Sequence, residues 1–283
     1  MLSLEIEKRL SSYLAEDIGS GDITSSLLPS VNCFGFISSN EKCYLSGVEE
    51  VLFLFKSVGL KAKALKSDGS LVKVKERVLE FSGSNKKVLS IERVCLNILG
   101  RMSGVATLCA KARMIVERHC KRLGCAVPLL AVTRKTSPGF QLLDKKAAES
   151  VGVWSHRKNL SDMILLKDNH LVFFDSVESA VKKALSTKRQ FEVEVKTDRE
   201  AFEAVNAGAE IIMLDNFSVK KAKETILRIR RSGFKCKIEL SGGINLRNLK
   251  NYCGLGADII SLGYLTKKAR IVDFSLDISK SSF

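Results

Sequence analysis

The second half of the chain alternates between short, mainly apolar runs and runs of helical periodicity. The apolar runs are typical of buried strands, and they lie at 129–132, 163–166, 191–195, 211–214, 237–240 and 258–262. Segments between them, such as 177–185 and 201–205, have apolar residues at helical spacing. This alternation predicts a parallel sheet with right-handed crossovers, and six units in this length favour a barrel over an open sheet.

The first half has a different pattern. Residues 4–15 have helical spacing, and residues 31–82 alternate like strands broken by turns. Asp68 and Gly69 separate two alternating runs, which predicts a hairpin. From Ser90 the spacing is helical again, with an interruption predicted at Ser103-Gly104. The first part therefore predicts an α+β module of about 85 residues.

Polar or glycine residues stand at the end of each predicted strand of the second half. In chain order they are Arg134-Lys135, Lys167, Glu194, Asp215, Ser241-Gly242-Gly243 and Gly263. The carboxyl ends of parallel strands meet at one end of a barrel, where ligands bind. The sequence therefore predicts one site with a cationic side, a side with two carboxylates, and a Ser-Gly-Gly turn opening a helix. The backbone N–H groups of such a turn suit a phosphate.

A site of this composition indicates a small polyanionic ligand. Arg134, Lys135 and Lys167, with His156 and Arg157 between them in the sequence, suit two or more carboxylates or several phosphates. Arg binds carboxylate in bidentate fashion, and Lys acts as a point charge. Glu194 and Asp215 could accept from sugar hydroxyls, hold Mg²⁺ or stabilise a developing cation. Taken singly, each could instead form an ion pair at a strand end. From spacing alone, Arg93 and Arg101 on the predicted helix are surface residues.

The formal charge of +15 comes from 46 basic and 31 acidic residues. Solvated helix faces account for much of it, and a polyanionic small molecule is the second explanation. A nucleic-acid-binding protein would gather its cations in a stripe with aromatic residues, whereas this chain has one Trp and four Tyr. A basic protein for RNA or nucleotides stays the alternative from another class, and it would show salt-sensitive polynucleotide binding without turnover.

The eight cysteines form no Cys-x-x-Cys pair and have no zinc-ligand spacing. Cys95 and Cys109 fall at apolar helical positions and are predicted to be small buried hydrophobes. The amino terminus reads as an amphipathic helix start rather than a signal peptide, and no apolar run approaches the ~20 residues that a bilayer requires. The sequence therefore predicts a cytoplasmic protein without membrane contact.

Motifs along nearly the whole chain resemble those of the quinolinate phosphoribosyltransferase family, also called carboxylating nicotinate-nucleotide pyrophosphorylases. Thr133-Arg134-Lys135-Thr136 with Pro138-Gly139, and Lys167-Asp168-Asn169-His170, are the specific ones. The supporting motifs are at 16–24, 92–97, 103–107, 156–157, 192–195, 214–216 and 239–244, with Gly263.

This resemblance implies an α/β fold: an incomplete parallel α/β barrel of the type II phosphoribosyltransferases with an amino-terminal α/β sandwich domain. The expected divisions are 1–104 for the sandwich, 105–271 for the barrel, and 272–283 for a segment packing back on the first domain. The implied reaction converts quinolinate and 5-phosphoribosyl 1-pyrophosphate to nicotinate mononucleotide, pyrophosphate and CO₂ in NAD biosynthesis, with Mg²⁺. A homodimer with shared active sites is also implied, with Mg²⁺ held mainly by the pyrophosphate.

The resemblance also assigns roles to individual residues. Arg93 would reach into the partner's site, which replaces the surface assignment from spacing. Arg134, His156, Arg157 and Lys167 would bind the two quinolinate carboxylates. Lys135, Glu194 and Asp215 would hold phosphoribosyl pyrophosphate, and Ser241, Gly242, Gly243 and Gly263 its 5′-phosphate. The full expected binding set adds Thr133 and Leu262, and the expected catalytic residues are Lys135, Lys167, Glu194 and Asp215.

The chain departs from the family pattern at a few positions. Val132 stands where many members have Asp, residues 151–155 replace a glycine-rich run before His156, and Lys267 replaces a common His. The basic segment 117–125 resembles an added surface piece. A related protein using another anionic acceptor, such as the pyrophosphorylase-like proteins encoded with molybdate transport, is the alternative within the fold. The intact Lys167-Asp168-Asn169-His170 argues against it.

Overall fold

The computed structural model describes residues 2–280, except for the side chain of Lys280. Its α-helices are α1 Leu4–Ile18, α2 Ile23–Ser26, α3 Val48–Ser57, α4 Asn85–Leu123, α5 Gln141–Glu149, α6 Asp168–Leu171, α7 Val177–Ser186, α8 Asp198–Asn206, α9 Val219–Arg231 and α10 Tyr264–Lys267. Its strands are β1 Asn32–Ser39, β2 Cys43–Tyr44, β3 Lys61–Ala64, β4 Leu71–Val72, β5 Arg77–Ser84, β6 Leu129–Ala131, β7 Ile164–Leu166, β8 Phe191–Val195, β9 Ile211–Asp215, β10 Lys237–Ser241, β11 Ile259–Ser261 and β12 Phe274–Lys280.

The described chain divides into two compact units. Unit 1 comprises residues 2–110, 137–152 and 268–280, and unit 2 comprises residues 111–136 and 153–267. The units differ from the domains expected from the sequence, because residues 137–152, which lie inside the expected barrel domain, belong to unit 1. The three sequence domains stay a prediction. Within residues 2–280, no helix combines the length and apolarity that crossing a membrane demands.

Unit 1 is built on a four-stranded sheet of order β12-β1-β5-β3, in which all pairs are antiparallel. Its last strand, β12, pairs with β1 along seven residues from Cys33 opposite Lys280 to Ser39 opposite Phe274. Apolar side chains beneath the sheet include Phe55 of α3 and Phe81 of β5, whose ring centroids lie 5.1 Å apart. A separate antiparallel pair joins β2 to β4.

Two sequence predictions for 31–82 are wrong. Residues 48–57 form the helix α3 rather than a strand, because Val48, Val51 and Phe55 recur at helical spacing and are buried. The predicted hairpin at Asp68-Gly69 does not form, since β3 pairs with β5 and β4 pairs with β2. Asp68 instead accepts the backbone N–H of Val48 at 3.0 Å and so caps α3.

The predicted break at Ser103-Gly104 is also wrong, because α4 runs unbroken through it. Ser103 is buried, and its hydroxyl contacts the backbone of Ser46 as donor and acceptor. A Cβ on Gly104 would lie 1.9 Å from the carbonyl oxygen of Arg270. The two small residues therefore serve close packing inside the helix rather than ending it. The basic segment 117–125 begins as the last turns of the same helix, with Cys120 buried.

Arg101 is not the surface residue that spacing alone predicts. Its guanidinium donates to both carboxylate oxygens of Asp144, at 2.8 and 2.7 Å, and Asp144 is fully buried. Cys95 and Cys109 are fully buried, as predicted. All eight cysteines are free thiols.

Unit 2 contains a six-stranded sheet of order β6-β11-β10-β9-β8-β7 in which every pair is parallel. Helices α7, α8 and α9 connect strands in sequence, and Ser176, Thr197 and Ser218 cap their amino termini with side-chain oxygens. Beyond the sheet edge at β6, Ala131 forms an isolated parallel bridge with Trp154. The predicted α/β class and incomplete parallel barrel are confirmed. All six strand predictions agree with the structure to within about two residues.

Candidate active site

The carboxyl ends of the unit 2 strands surround a cavity of about 250 Å³. It is lined by Thr133, Arg134, Lys135, His156, Arg157, Leu165, Lys167, Glu194, Met213, Asp215, Asn216, Glu239, Ser241, Gly242, Gly243 and Ser261. Every strand of the sheet ends beside one or more of these residues, as parallel strands with common direction require. Eleven of the predicted site residues therefore meet in one place.

The cationic side of the cavity is formed by Arg134, Lys135, Arg157 and Lys167. Arg134 and Lys135 follow β6 and are exposed, whereas Arg157 is 7% exposed. Burial, followed by repulsion from the Arg134 guanidinium, lowers the pKa of Arg157. Two guanidinium groups that repel one another favour an anion between them, because a negative ligand relieves that repulsion.

Glu194 and Asp215 lie near the ends of β8 and β9 and line the same cavity. The Lys167 ammonium forms a short ion pair with Glu194. Asp215 accepts a hydrogen bond from the Asn216 amide at 2.6 Å. Asn216 has a positive φ of 57°, a conformation that Asn tolerates better than most residues. The Asn216 amide therefore orients the carboxylate of Asp215, and the Lys167 ammonium pairs with the carboxylate of Glu194.

The Ser241-Gly242-Gly243 turn follows β10 directly. At Gly242, φ is 91° and an added Cβ would lie 2.4 Å from the backbone nitrogen of Asn216, so only glycine fits. The prediction that this turn opens a helix is wrong. A loop follows, and the next helical element is the four-residue 3₁₀ turn Leu249–Tyr252. Anion binding at the turn therefore depends on its own backbone N–H groups rather than on a helix dipole.

Three buried ionisable groups lie together at the cavity, and two of them, His156 and Glu239, line it. His156 Nε2 lies 3.1 Å from Glu192 Oε2 and 3.3 Å from Glu239 Oε2, and both glutamates are fully buried. Burial alone would lower the pKa of His156, but the two carboxylates outweigh it and raise that pKa to about 9. Burial and the neighbouring Glu239 raise the pKa of Glu192 to about 7, against the opposing pull of His156. The three groups share protons and titrate together.

Three predicted site residues, Leu262, Gly263 and Arg93, are not among those that line the cavity. Leu262 is fully buried after β11. Gly263 packs against Lys135 and Thr133, since an added Cβ would lie 3.0 Å from Lys135 Cδ and 3.2 Å from Thr133 Oγ1. Arg93 is exposed on α4 of unit 1. Val151 and Val153, where the family has a glycine-rich run, are buried.

Sequence reasoning missed five lining residues: Leu165, Met213, Asn216, Glu239 and Ser261. Four of them stand two positions before a predicted site residue. Met213 and Glu239 precede Asp215 and Ser241 within a strand, and Leu165 and Ser261 precede Lys167 and Gly263, which follow a strand. Residues two apart on a strand face the same side. A polar residue inside an apolar strand, such as Glu239, was therefore the available signal.

Comparisons with known proteins agree with this arrangement. Residues 105–277 match the family model "Quinolinate phosphoribosyl transferase, C-terminal domain", and residues 22–103 match the model of the N-terminal domain. A probable carboxylating nicotinate-nucleotide pyrophosphorylase of Archaeoglobus fulgidus is 38% identical over 260 residues, covering 91% of this chain and 98% of the relative. The carboxylating nicotinate-nucleotide pyrophosphorylase of Rattus norvegicus is 34% identical over 271 residues, covering 95% and 89%.

Solved structures give the same result. The nicotinate-nucleotide pyrophosphorylase from Francisella tularensis superposes with a TM-score of 0.90 at 31% identity, covering 99% of this chain and 98% of that one. The family models together cover most of the chain, and the relatives cover nearly all of it. The chain therefore belongs to the quinolinate phosphoribosyl transferase family.

Proposed function

We propose that this protein converts quinolinate and 5-phosphoribosyl 1-pyrophosphate to nicotinate mononucleotide, pyrophosphate and CO₂, a step of de novo NAD biosynthesis. The observation that carries the proposal is the cavity that brings four cations together with Glu194, Asp215 and a Ser-Gly-Gly turn. The names of the relatives support quinolinate over another anionic acceptor. Family membership and the low aromatic content, with one Trp and four Tyr, argue against an RNA-binding protein.

The dicarboxylate would bind on the cationic side of the cavity. Arg134 and Arg157 offer planar donor pairs, and their mutual repulsion is relieved when carboxylates lie between them. Lys167 would take the second carboxylate and, in doing so, leave Glu194, with which it is paired in the structure. Binding of the acceptor would thereby free a carboxylate for the ribosyl group.

The phosphoribosyl group would lie on the other side. Lys135 would pair with pyrophosphate, and the backbone N–H groups of the Ser241-Gly242-Gly243 turn would hold the 5′-phosphate. Gly263, packed against Lys135 and Thr133, borders the same space. Glu194 and Asp215 would then face the ribose ring, where positive charge develops as the bond to pyrophosphate breaks.

The reaction needs placement and electrostatics more than covalent catalysis by the protein. The pyridine nitrogen forms a bond to the anomeric carbon as the bond to pyrophosphate oxygen breaks. The ring nitrogen is then cationic, so the neighbouring carbon–carboxylate bond can break with its electron pair left on the ring carbon. That carbon takes up a proton and CO₂ departs. Lys135, Lys167, Glu194 and Asp215 are the proposed catalytic residues.

Mg²⁺ fits the oxygen-rich side of the cavity. Pyrophosphate would supply most of its ligands, and the Asp215 carboxylate, oriented by Asn216, is a hard oxygen donor at the right side. The ion would offset the negative charge that builds on the departing pyrophosphate. We further propose a cytoplasmic homodimer in which exposed Arg93 of one subunit completes the site of the other.

The test is turnover of quinolinate by the purified protein with phosphoribosyl pyrophosphate and Mg²⁺. Arg134→Ala and Lys167→Ala should each lower kcat/KM for quinolinate at least tenfold, since a charged hydrogen bond contributes roughly 1.5–3 kcal/mol. Arg189→Ala is the matched control, because Arg189 is exposed and precedes β8, at the end of the strand opposite the cavity. Equal losses in all three variants would contradict the assignment.

A further inference from the structure

The long helix α4 ends in a Schellman motif at Gly124. Gly124 has a φ of 64°, in the left-handed region that glycine adopts without strain. The backbone N–H of Cys125 donates to the carbonyl oxygen of Cys120 at 3.1 Å, and that of Gly124 donates to the carbonyl oxygen of Lys121 at 3.3 Å. These two hydrogen bonds define the motif, and they satisfy carbonyl groups that a helix end leaves without partners.

The motif brings two cysteines together. The hydrogen bond between Cys125 N and Cys120 O holds the two Cα atoms within about 7 Å of one another, because each bonded atom is at most two covalent bonds from its Cα. A disulfide spans Cα separations of about 4.4–6.8 Å, and the bond angles bring the pair into that range. The Cys125 thiol also donates to the Cys120 carbonyl oxygen at 3.7 Å. Apolar side chains commonly meet at these two positions of the motif, whereas here both are thiols.

A third thiol lies at the same place. Cys253 follows the 3₁₀ turn Leu249–Tyr252, and the thiols of Cys125 and Cys253 both act on that of Cys120. A Cβ on Gly254 would lie 3.6 Å from Cys125 Sγ. In residues 2–280, the group of side chains close enough to hold a metal ion is His156, Glu192 and Glu239, and these thiols do not belong to it. The cluster therefore suits thiol chemistry rather than a metal ion.

The thiols of Cys120 and Cys125 differ in access and in charge. All eight cysteines lie in the described residues, and seven are buried, whereas Cys125 is partly exposed. Burial, followed by the neighbouring thiols, raises the pKa of Cys120 well above its ordinary value. Cys120 is therefore a neutral thiol near pH 7 and does not itself attack oxidants from solvent. An accessible thiol with a second thiol beside it is the arrangement found at reversible oxidation sites.

We propose that Cys120 and Cys125 form a peroxide-responsive pair, in which Cys125 takes the oxidation and Cys120 converts it to a reversible disulfide. The Cys125 thiolate attacks one oxygen of hydrogen peroxide, the O–O bond breaks, and a sulfenic acid and hydroxide form. The Cys120 sulfur then attacks the sulfenic sulfur, the S–O bond breaks, and the departing hydroxide takes the Cys120 proton as water. The two sulfur atoms together lose two electrons, which reduce the peroxide to water.

The pair gives a role to the basic segment 117–125, which resembles an addition to the family pattern. Cys120 is close enough to react before a second peroxide does, and such proximity compensates for its small thiolate fraction. Without it, the sulfenic acid would proceed to sulfinic acid, which thiol reductants do not reverse. A disulfide formed this way is transient in a reducing compartment, as intracellular disulfides usually are. The chemistry is independent of turnover and of the proposed function.

Peptide mapping of the whole protein after exposure to peroxide tests the pair. The reduced protein is treated with hydrogen peroxide, quenched with iodoacetamide and digested with trypsin without reductant. Trypsin cleaves after Lys121 and Arg122, so Cys120 and Cys125 fall in separate peptides and a disulfide appears as their linkage. We expect this linkage, and its loss on adding dithiothreitol. If both cysteines are still alkylated at a peroxide dose that oxidises free cysteine in a parallel tube, the proposal is overturned.

Serine variants identify the role of each thiol. Cys125→Ser should leave Cys120 alkylated, because the accessible thiol is gone. Cys120→Ser should let Cys125 proceed to sulfinic acid, which dithiothreitol does not reverse. Cys236→Ser is the matched control and should keep the linkage, since Cys236 is a buried thiol that precedes β10. A linkage of Cys125 to Cys253, or sulfinic acid at Cys125 in the wild type as well, would contradict the assigned pair.

Substitution of Gly124 tests whether the helix end holds the two thiols together. A Cβ at Gly124 would meet no atom within 4 Å, so alanine there opposes only the left-handed backbone, which asparagine tolerates. Gly124→Ala should slow formation of the linkage roughly fivefold, and Gly124→Asn should stay near the wild type. Equal rates in the alanine variant and the wild type would show that the Schellman motif does not set the pair.

Discussion

Gly104 lies in the middle of α4, where an alanine would ordinarily make the helix more stable. In an exposed helix interior, Gly→Ala stabilises by about 0.5–1 kcal/mol, because glycine loses more backbone freedom on folding. Here the added Cβ would lie 1.9 Å from the carbonyl oxygen of Arg270 and 3.1 Å from its carbonyl carbon. Backbone atoms cannot rotate away, so the helix and the segment at Arg270 must separate by more than 1 Å to reach ordinary contact distances of about 3.4 Å.

Overpacking of this kind costs about 1–3 kcal/mol, or more where backbone must move. The cost exceeds the gain in helix propensity, so Gly104→Ala should lower the free energy of unfolding by about 1–2 kcal/mol. Nearby Gly100 should behave alike, since its Cβ would lie 2.7 Å from the carbonyl oxygen of Val272. Urea denaturation followed by circular dichroism measures the change. Lys111→Ala, exposed on the same helix, is the control and should stay within about 0.5 kcal/mol.

A stability of Gly104→Ala equal to or above the wild type would refute this reasoning. It would mean that the residues at Arg270 and Val272 do not pack on α4, and that Ser103-Gly104 is an ordinary helical stretch. The sign of the change in the free energy of unfolding decides between the two effects, because helix propensity predicts stabilisation and packing predicts destabilisation at this position.

Three further predictions concern the site. His156 and Glu192 have pKa values of about 9 and about 7 in the folded protein, above their ordinary values of 6.5 and 4.5. The folded cluster therefore binds more protons than the unfolded chain. Its contribution to the free energy of unfolding is full below the ordinary pKa values and is lost as the pH rises through the folded ones. The free energy of unfolding should fall from pH 4.5 to 9, by up to about 1.4 kcal/mol per pH unit for each group. Glu192→Gln should flatten the slope, and an equal slope in both proteins would contradict the coupling. Gly242→Ala should raise KM for phosphoribosyl pyrophosphate at least tenfold in steady-state kinetics, because its Cβ would displace the turn, and an unchanged KM would separate the turn from phosphate binding. Asn216→Ala should lower kcat roughly tenfold with little change in KM for quinolinate, because it releases the Asp215 carboxylate; an unchanged kcat would exclude that role.

The strand ends of the barrel were predictable because the physical rule is local. A parallel strand buried on both faces is apolar along its length and becomes polar where it meets the ligand site. Arg134, Lys167, Glu194 and Asp215 obey that rule, and all four line the cavity. The roles given to these residues came from the family resemblance and stay predictions until they are tested.

The errors in unit 1 have a different cause. Asp68-Gly69 has the composition of a hairpin turn, but the competing demand of the α3 amino terminus for a cap decides its use. Ser103-Gly104 has the composition of a helix stop, but close approach of Arg270 needs small residues there. Both outcomes depend on partners far along the chain, which periodicity within a short window does not contain.

The cluster of His156, Glu192 and Glu239 could not be predicted from the sequence for a related reason. Glu192 and Glu239 interrupt apolar strands, which alone marks them as unusual, since a buried carboxylate needs a partner. The partner, His156, is distant in sequence from both. Only the parallel pairing of β8, β9 and β10 brings the two glutamates to the same ring.

The central claim is that one cavity joins an acceptor dicarboxylate to a phosphoribosyl group and then releases a carboxylate. The most direct measurement uses quinolinate labelled in the carboxyl group beside the ring nitrogen, with purified protein, phosphoribosyl pyrophosphate and Mg²⁺. We expect labelled CO₂ and nicotinate mononucleotide in equal amounts, and neither product when phosphoribosyl pyrophosphate is left out. CO₂ release without phosphoribosyl pyrophosphate, or no nucleotide from folded protein under any condition, would contradict it.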